Sequence, residues 1–184
     1  MKNKIYNYLM NNDIIVEKDV FEYGFDFFLS YLIYLLIIIP ISILTDSFFE
    51  IILFIILYIP IRKNIGGFHL KNPYHCIILS SIVTLLIPYI QDYIPISYYF
   101  AISIIVLNFI LYIMFIPVDC KEKQLSDIEK KSYKLLSLKI HALYSFFILF
   151  FCATNMQLMF QVVCIIELVS TFSICLSIIK KYYF

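Results

Sequence analysis

Residues 27–44 run for 18 positions without a charged side chain, and the stretches 48–61, 76–90, 93–118 and 140–179 are almost as apolar. A helix needs ~20 mostly apolar residues to cross the hydrocarbon core of a bilayer, and there every backbone N–H and C=O must find its partner internally. A chain built from such runs is expected to fold as membrane-spanning helices. Composition agrees, since 62% of the 184 residues are apolar and the mean hydropathy is +0.91, whereas soluble globular chains are roughly 45–50% apolar.

The runs divide into six spans, about 25–44, 47–61, 75–90, 96–117, 139–153 and 158–179, of one all-α polytopic domain over residues 1–184. Thr45 to Ser47 marks the first turn, and Thr154, Asn155 and Gln157 mark the last. Spans two and three are short, so the bilayer thins there or the flanking residues are drawn inward, and the loop between them sits at headgroup depth. Residues 1–23 carry Ile5, Leu9, Ile14, Ile15 and Val20 at helical spacing among charged neighbours. That pattern fits an amphipathic helix on the membrane surface, with a solvated tail as the alternative. No small-residue cleavage site follows the first apolar run, which is expected to stay as an anchor.

All 14 Lys and Arg residues fall in four regions: the segment 1–23, the loop after span two, the segment 119–139 and the C-terminus. The turns at 45–47, 91–97 and 153–157 hold none. Positive charge accumulates on the cytoplasmic side, so both termini and the loop are expected there, in a multi-pass protein of the cell membrane. Nothing in this pattern implies a nucleic-acid partner. Five cysteines, three of them (Cys152, Cys164 and Cys175) inside apolar runs, argue against a disulfide framework and for small packing residues.

The loop between spans two and three is chemically unlike the rest. Residues 62–76 read R-K-N-I-G-G-F-H-L-K-N-P-Y-H-C and hold two of the three glycines (Gly66, Gly67) and two of the three histidines (His69, His75). Asn72-Pro73 reads as a helix start, with Asn72 as N-cap and Pro73 at the first helical position, which puts Cys76 in the first turn of span three. Unpaired N–H groups and the positive end of the helix dipole favour a thiolate there, and Arg62, Lys63 and Lys71 add positive potential. His75 is adjacent to Cys76 but points about 100 degrees away on a helix, whereas Gly66-Gly67 allows a turn that returns His69 to the thiol and aims N–H groups at a developing oxyanion. His69 is therefore the favoured base. A third group to orient it is open, with Asp119, Glu22 and Asp26 permitted by topology. Taken from the residues alone, the loop is either a cysteine-histidine catalytic site or a packing feature. A metal site fits poorly, since zinc takes three or four ligands and no C-x-x-C or H-x-x-x-H pair is present, and no cofactor is implied.

The run R-x-x-x-x-G-x-H-x-x-x-x-x-x-C, with the glycine doubled, resembles the AgrB family, membrane peptidases that process the precursor of a cyclic autoinducing peptide in low-GC Gram-positive bacteria. Chain length, six spans, an amphipathic N-terminal stretch and the basic segment after Pro117-Val118-Asp119 are also similar. The resemblance implies Cys76 as nucleophile, His69 as base, and Arg62, Gly66 and Gly67 in support. It further implies a homodimer and an AgrD-like precursor peptide, cut to remove its C-terminal part and closed to a thiolactone or lactone. Cleavage by Cys76 would leave an acyl-enzyme thioester, and exchange onto a thiol or hydroxyl within the bound peptide needs no ATP. Lys121, Lys123, Lys130, Lys131, Lys134 and Lys139 form a basic patch that suits either an acidic tail of such a precursor or anionic membrane lipids. His141 reads as an interface residue, and Glu167, alone in an apolar run, as a helix-packing or functional group. Two other classes compete: a small transporter or peptide exporter with Glu167 on its pathway, and a non-enzymatic peptide receptor or chaperone.

Overall fold

A computed structural model describes residues 2–12, 14, 17–65, 73–93, 96–118 and 126–183. The described residues form helices α1 (Lys2–Asn11), α2 (Lys18–Leu44), α3 (Phe48–Ile65), α4 (Pro73–Tyr93), α5 (Tyr98–Phe115), α6 (Asp127–Ala153) and α7 (Gln157–Tyr183), with no strand among them. Four of these, α2, α5, α6 and residues Gln157–Ile179 of α7, are long and apolar enough to cross a membrane, and α4 contains a shorter apolar helix, His75–Gln91. α3 is 18 residues long but carries Glu50 in its first turn and Arg62 and Lys63 in its last.

Local chemistry sets the helix ends. α6 opens on a capping box: Ser126 Oγ accepts from Glu129 N–H at 3.3 Å, and Glu129 Oε2 accepts from Ser126 N–H at 2.9 Å. Two orphan donors are satisfied reciprocally. The helix therefore starts at Asp127, within the charged segment and ahead of its apolar part. α2 and α6 end alike. Ser47 N–H donates to Ser42 O and Asp46 N–H to Ile43 O, while Met156 N–H donates to Phe151 O and Asn155 N–H to Cys152 O. This is the Schellman pattern, and it needs a left-handed residue just past the helix. Asp46 (φ 53°) and Asn155 (φ 56°) fill that place, two residue types whose short polar side chains tolerate it. Pro60 does not end α3, which runs on to Ile65, and Asn64 Nδ2 donates back to Pro60 O at 2.6 Å.

α7 is the centre of the bundle. Its residues Val162 to Glu167 are all buried, and six successive positions cover every side of a helix with 3.6 residues per turn. It packs on α3, α5, α6 and α4. α2 lies outside, against α4 and α3, tied to α4 by a 2.7 Å bond between Tyr34 and Thr84 hydroxyls. The amphipathic N-terminal segment divides between α1 and the start of α2. α1 folds back along α2, with Lys2 Nζ donating to both carboxylate oxygens of Asp26 at 2.9 and 2.8 Å and Tyr6 against Phe21 at 5.3 Å between ring centroids.

Candidate functional site

The end of α3 and the start of α4 meet at one end of the bundle, and Val118, just past α5, joins them there through its N–H to Ile65 O at 3.2 Å. Because α6 begins nearby, this end also gathers Lys130, Lys131 and Lys134, whereas the turns after α2 and α6 at the other end hold no Lys or Arg.

Cys76 occupies the first turn of α4, half-buried, while the preceding His75 is exposed. The two side chains therefore look in different directions, as adjacent residues on a helix must. Arg62, in the last turn of α3, reaches across to α7 and donates from Nη1 to Ser173 Oγ at 2.6 Å. Tyr31 of α2 and Tyr58 of α3 both lie within electrostatic reach of Arg62 and Cys76, and the Tyr58 hydroxyl also faces Ser173. Four helices thus converge here: α4 supplies the thiol, α3 the guanidinium and Tyr58, α2 Tyr31, and α7 Ser173. Such a setting offers a nucleophile at a helix start, a fixed positive charge and hydroxyl donors, the parts that acyl transfer requires apart from a base. His69, Gly66 and Gly67, with Asn72, lie outside the described residues, as do Asp119, Lys121 and Lys123. Of the groups considered for orienting His69, Glu22 and Asp26 are engaged at the α1–α2 contact, where Lys2 lies 3.8 Å from Glu22 and 2.8 Å from Asp26.

Tyr31, Tyr58 and Ser173 went unseen in the sequence because tyrosine and serine are common in this chain and Ser173 is 111 positions from Arg62. A second polar centre is deeper. Glu167 of α7 is fully buried, with Oε1 at 3.0 Å from Nδ1 of buried His141 on α6. Asn108 of α5 donates from Nδ2 to Glu167 Oε2 at 2.5 Å and to Glu167 O at 2.9 Å, and accepts at Oδ1 from Thr171 Oγ1 at 2.7 Å. The Tyr112 ring packs 4.9 Å from that of His141. His141 is therefore a core residue and no interface residue. The signal for Asn108 was available: it is the one amide in the uncharged run 93–118. Among the described residues no group of three His, Cys, Asp or Glu side chains is placed to hold a metal ion, and Cys76, Cys152, Cys164 and Cys175 are all free thiols. Cys164 is a buried packing residue, but Cys175 is exposed on α7.

No curated protein and no solved structure matches this chain. The family model described as Accessory gene regulator B matches residues 2–180, nearly its whole length, and the chain accordingly belongs to the AgrB family.

Proposed function

We propose that this AgrB-family chain is a membrane-embedded cysteine endopeptidase that cleaves the C-terminal part from an AgrD-like propeptide and leads it to a cyclic thiolactone or lactone. Family membership gives it a role in the accessory gene regulator system. The observation that carries the chemistry is Cys76 at the first turn of α4, with Tyr31 and Tyr58 in electrostatic reach both of it and of Arg62, whose guanidinium is bonded to Ser173. In this reading His69 takes the thiol proton, and the Cys76 thiolate adds to the scissile carbonyl. The C–N bond then breaks as His69 protonates the departing amine, leaving a thioester on Cys76. A thiol or hydroxyl within the bound peptide attacks that thioester, and Cys76 leaves as thiolate. Water is the competing acceptor, and a site at the membrane boundary limits it.

Six spans, with both termini and the 66–72 loop cytoplasmic, belong to the same proposal. α3 is about 27 Å long at 1.5 Å per residue for its 18 residues, close to the ~30 Å hydrocarbon core, and its ionisable residues stand at its two ends. The transporter reading loses its footing in Glu167, since a fully buried carboxylate with both oxygens engaged is a closed contact between helices and lines no pathway. Co-expression with a tagged AgrD-like precursor tests the proposal. Wild type should shorten the precursor and form a hydroxylamine-sensitive adduct, and Cys76→Ala should do neither; unchanged processing by Cys76→Ala would sink it.

A further inference from the structure

Tyr58 and Arg62 stand four positions apart, on one face of α3 and a turn from each other. Both meet the same atom of α7: Arg62 Nη1 donates to Ser173 Oγ at 2.6 Å, and the Tyr58 hydroxyl bonds to that oxygen as well. Ser170 and Ser177, the buried serines on either side of it in α7, each donate to the carbonyl four residues back, at 2.8 and 2.7 Å, whereas Ser173 faces α3. Because Ser173 Oγ accepts from a guanidinium, its own proton is directed at the Tyr58 oxygen. The phenol proton is left to point onward. The Tyr58 ring is fixed by stacking on Phe54, with centroids 5.0 Å apart at 18°, and Phe54 is a fully packed core residue.

Tyr58 is in electrostatic reach of Cys76 and stands one turn further from the end of α3 than Arg62. Addition of a thiolate to a carbonyl puts negative charge on the carbonyl oxygen, and a donor fixed in advance toward that oxygen lowers the barrier. We infer, resting on the peptidase reading, that Tyr58 is this donor, its hydroxyl polarised by Arg62 through Ser173. As the Cys76 Sγ–C bond forms, the carbonyl π pair moves onto oxygen and accepts from the Tyr58 O–H, which keeps its proton. The pair returns as the C–N bond breaks and His69 protonates the amine. Hydrogen bonds in series strengthen one another away from water, so the guanidinium acts at the phenol. Tyr31 also faces Cys76 and Arg62, but it is 38% exposed on α2, the outer helix. Preorganisation favours the stacked, half-buried ring of Tyr58.

Two reactions of one thiol separate this role from a structural one, measured on the full chain in lipid nanodiscs and read at Cys76 by peptide mass spectrometry. Acylation by an AgrD-like precursor builds an oxyanion; alkylation by iodoacetamide, a displacement at saturated carbon, builds none. Tyr58→Phe should slow acylation by about 10²–10³-fold, the usual loss on removing one such donor, with KM unchanged, and should leave alkylation at the wild-type rate. Tyr34→Phe, which gives up a comparable hydroxyl bond to Thr84, should process the precursor as wild type does. Full cleavage by Tyr58→Phe while Cys76→Ala is inactive would overturn the inference and leave the peptidase reading standing, whereas cleavage by Cys76→Ala would remove both. Parallel losses of acylation and alkylation in Tyr58→Phe would make the phenol a packing group, and the acylation loss appearing in Tyr31→Phe instead would give the role to Tyr31. Either result overturns the assignment, as would equal slowing in Tyr34→Phe.

Discussion

At the scale of single residues, the contact between Arg62 and Ser173 is the one on which the proposed chemistry most visibly depends. A hydrogen bond to a charged group contributes about 1.5–3 kcal/mol, so removing it loosens one of the contacts that position the Arg62 guanidinium. Ser173→Ala should slow precursor cleavage by about tenfold or somewhat more, at the low end of that range, and Ser173→Thr, which keeps the hydroxyl, should recover most of the rate. The measurement is a time course of precursor size on co-expression, and equal rates for all three would remove Ser173 from the site. Cys76 and His69 separate by size of effect. Cys76→Ala should lower cleavage at least about a thousandfold, and His69→Ala by on the order of 10²–10⁴, the usual contribution of a positioned general base. Cys76 could be singled out in the sequence because Asn72-Pro73 fixes where its helix begins. Ser173 could not, because nothing local to α7 says which of its faces meets α3.

At the scale of elements, the Asn108–Glu167–His141–Thr171 cluster binds α5, α6 and α7 into one unit. Hydropathy cannot select partners inside a bilayer, where lipid is as apolar as a neighbouring helix, so close packing and hydrogen bonds do the selecting. Breaking a buried pair by removing one member is costly because the other is left uncompensated. His141→Ala should therefore destabilise the bundle most, by about 3 kcal/mol. Asn108→Ala should cost about 1–2 kcal/mol, and Glu167→Gln less than His141→Ala, since an amide still bonds to both neighbours. Unfolding of the purified protein in lipid–detergent micelles ranks them, and a Glu167→Gln variant as unstable as His141→Ala would refute this account. The α6 start is a separate element-level case: Ser126→Ala should cost about 1 kcal/mol, seen as faster amide exchange confined to the first turn of α6. That cap was legible as S-x-x-E in residues 126–129, although the reading by hydropathy began the span near residue 139, where the apolar part starts.

At the scale of the whole molecule, the fold separates its charges. Arg62, Lys63, Lys130, Lys131 and Lys134 collect at the end where α3, α4, α5 and α6 meet, and Asp46 and Asn155 turn the chain at the other. In a background with the native cysteines changed to serine, Thr45→Cys and Thr154→Cys, both at exposed positions, should react with an impermeant maleimide on intact cells. Lys131→Cys should react only after permeabilisation. Labelling of Lys131→Cys on intact cells would invert the proposed orientation and move the 66–72 loop to the outer face.

The amino-acid sequence by itself determined that this is a helical membrane protein of the AgrB type, where the chain turns after α2 and after α6, and which cysteine opens α4. These depend on runs of apolar residues, caps and turn chemistry, all local to the chain. Only the tertiary structure decided that α7 is the buried centre, that Arg62 meets Ser173, that Glu167 closes on Asn108 and His141, and that three lysines of α6 face the end of α5. Apolar helices with no strong polar face offer many equivalent pairings, and the few polar side chains choose among them only once the helices are side by side.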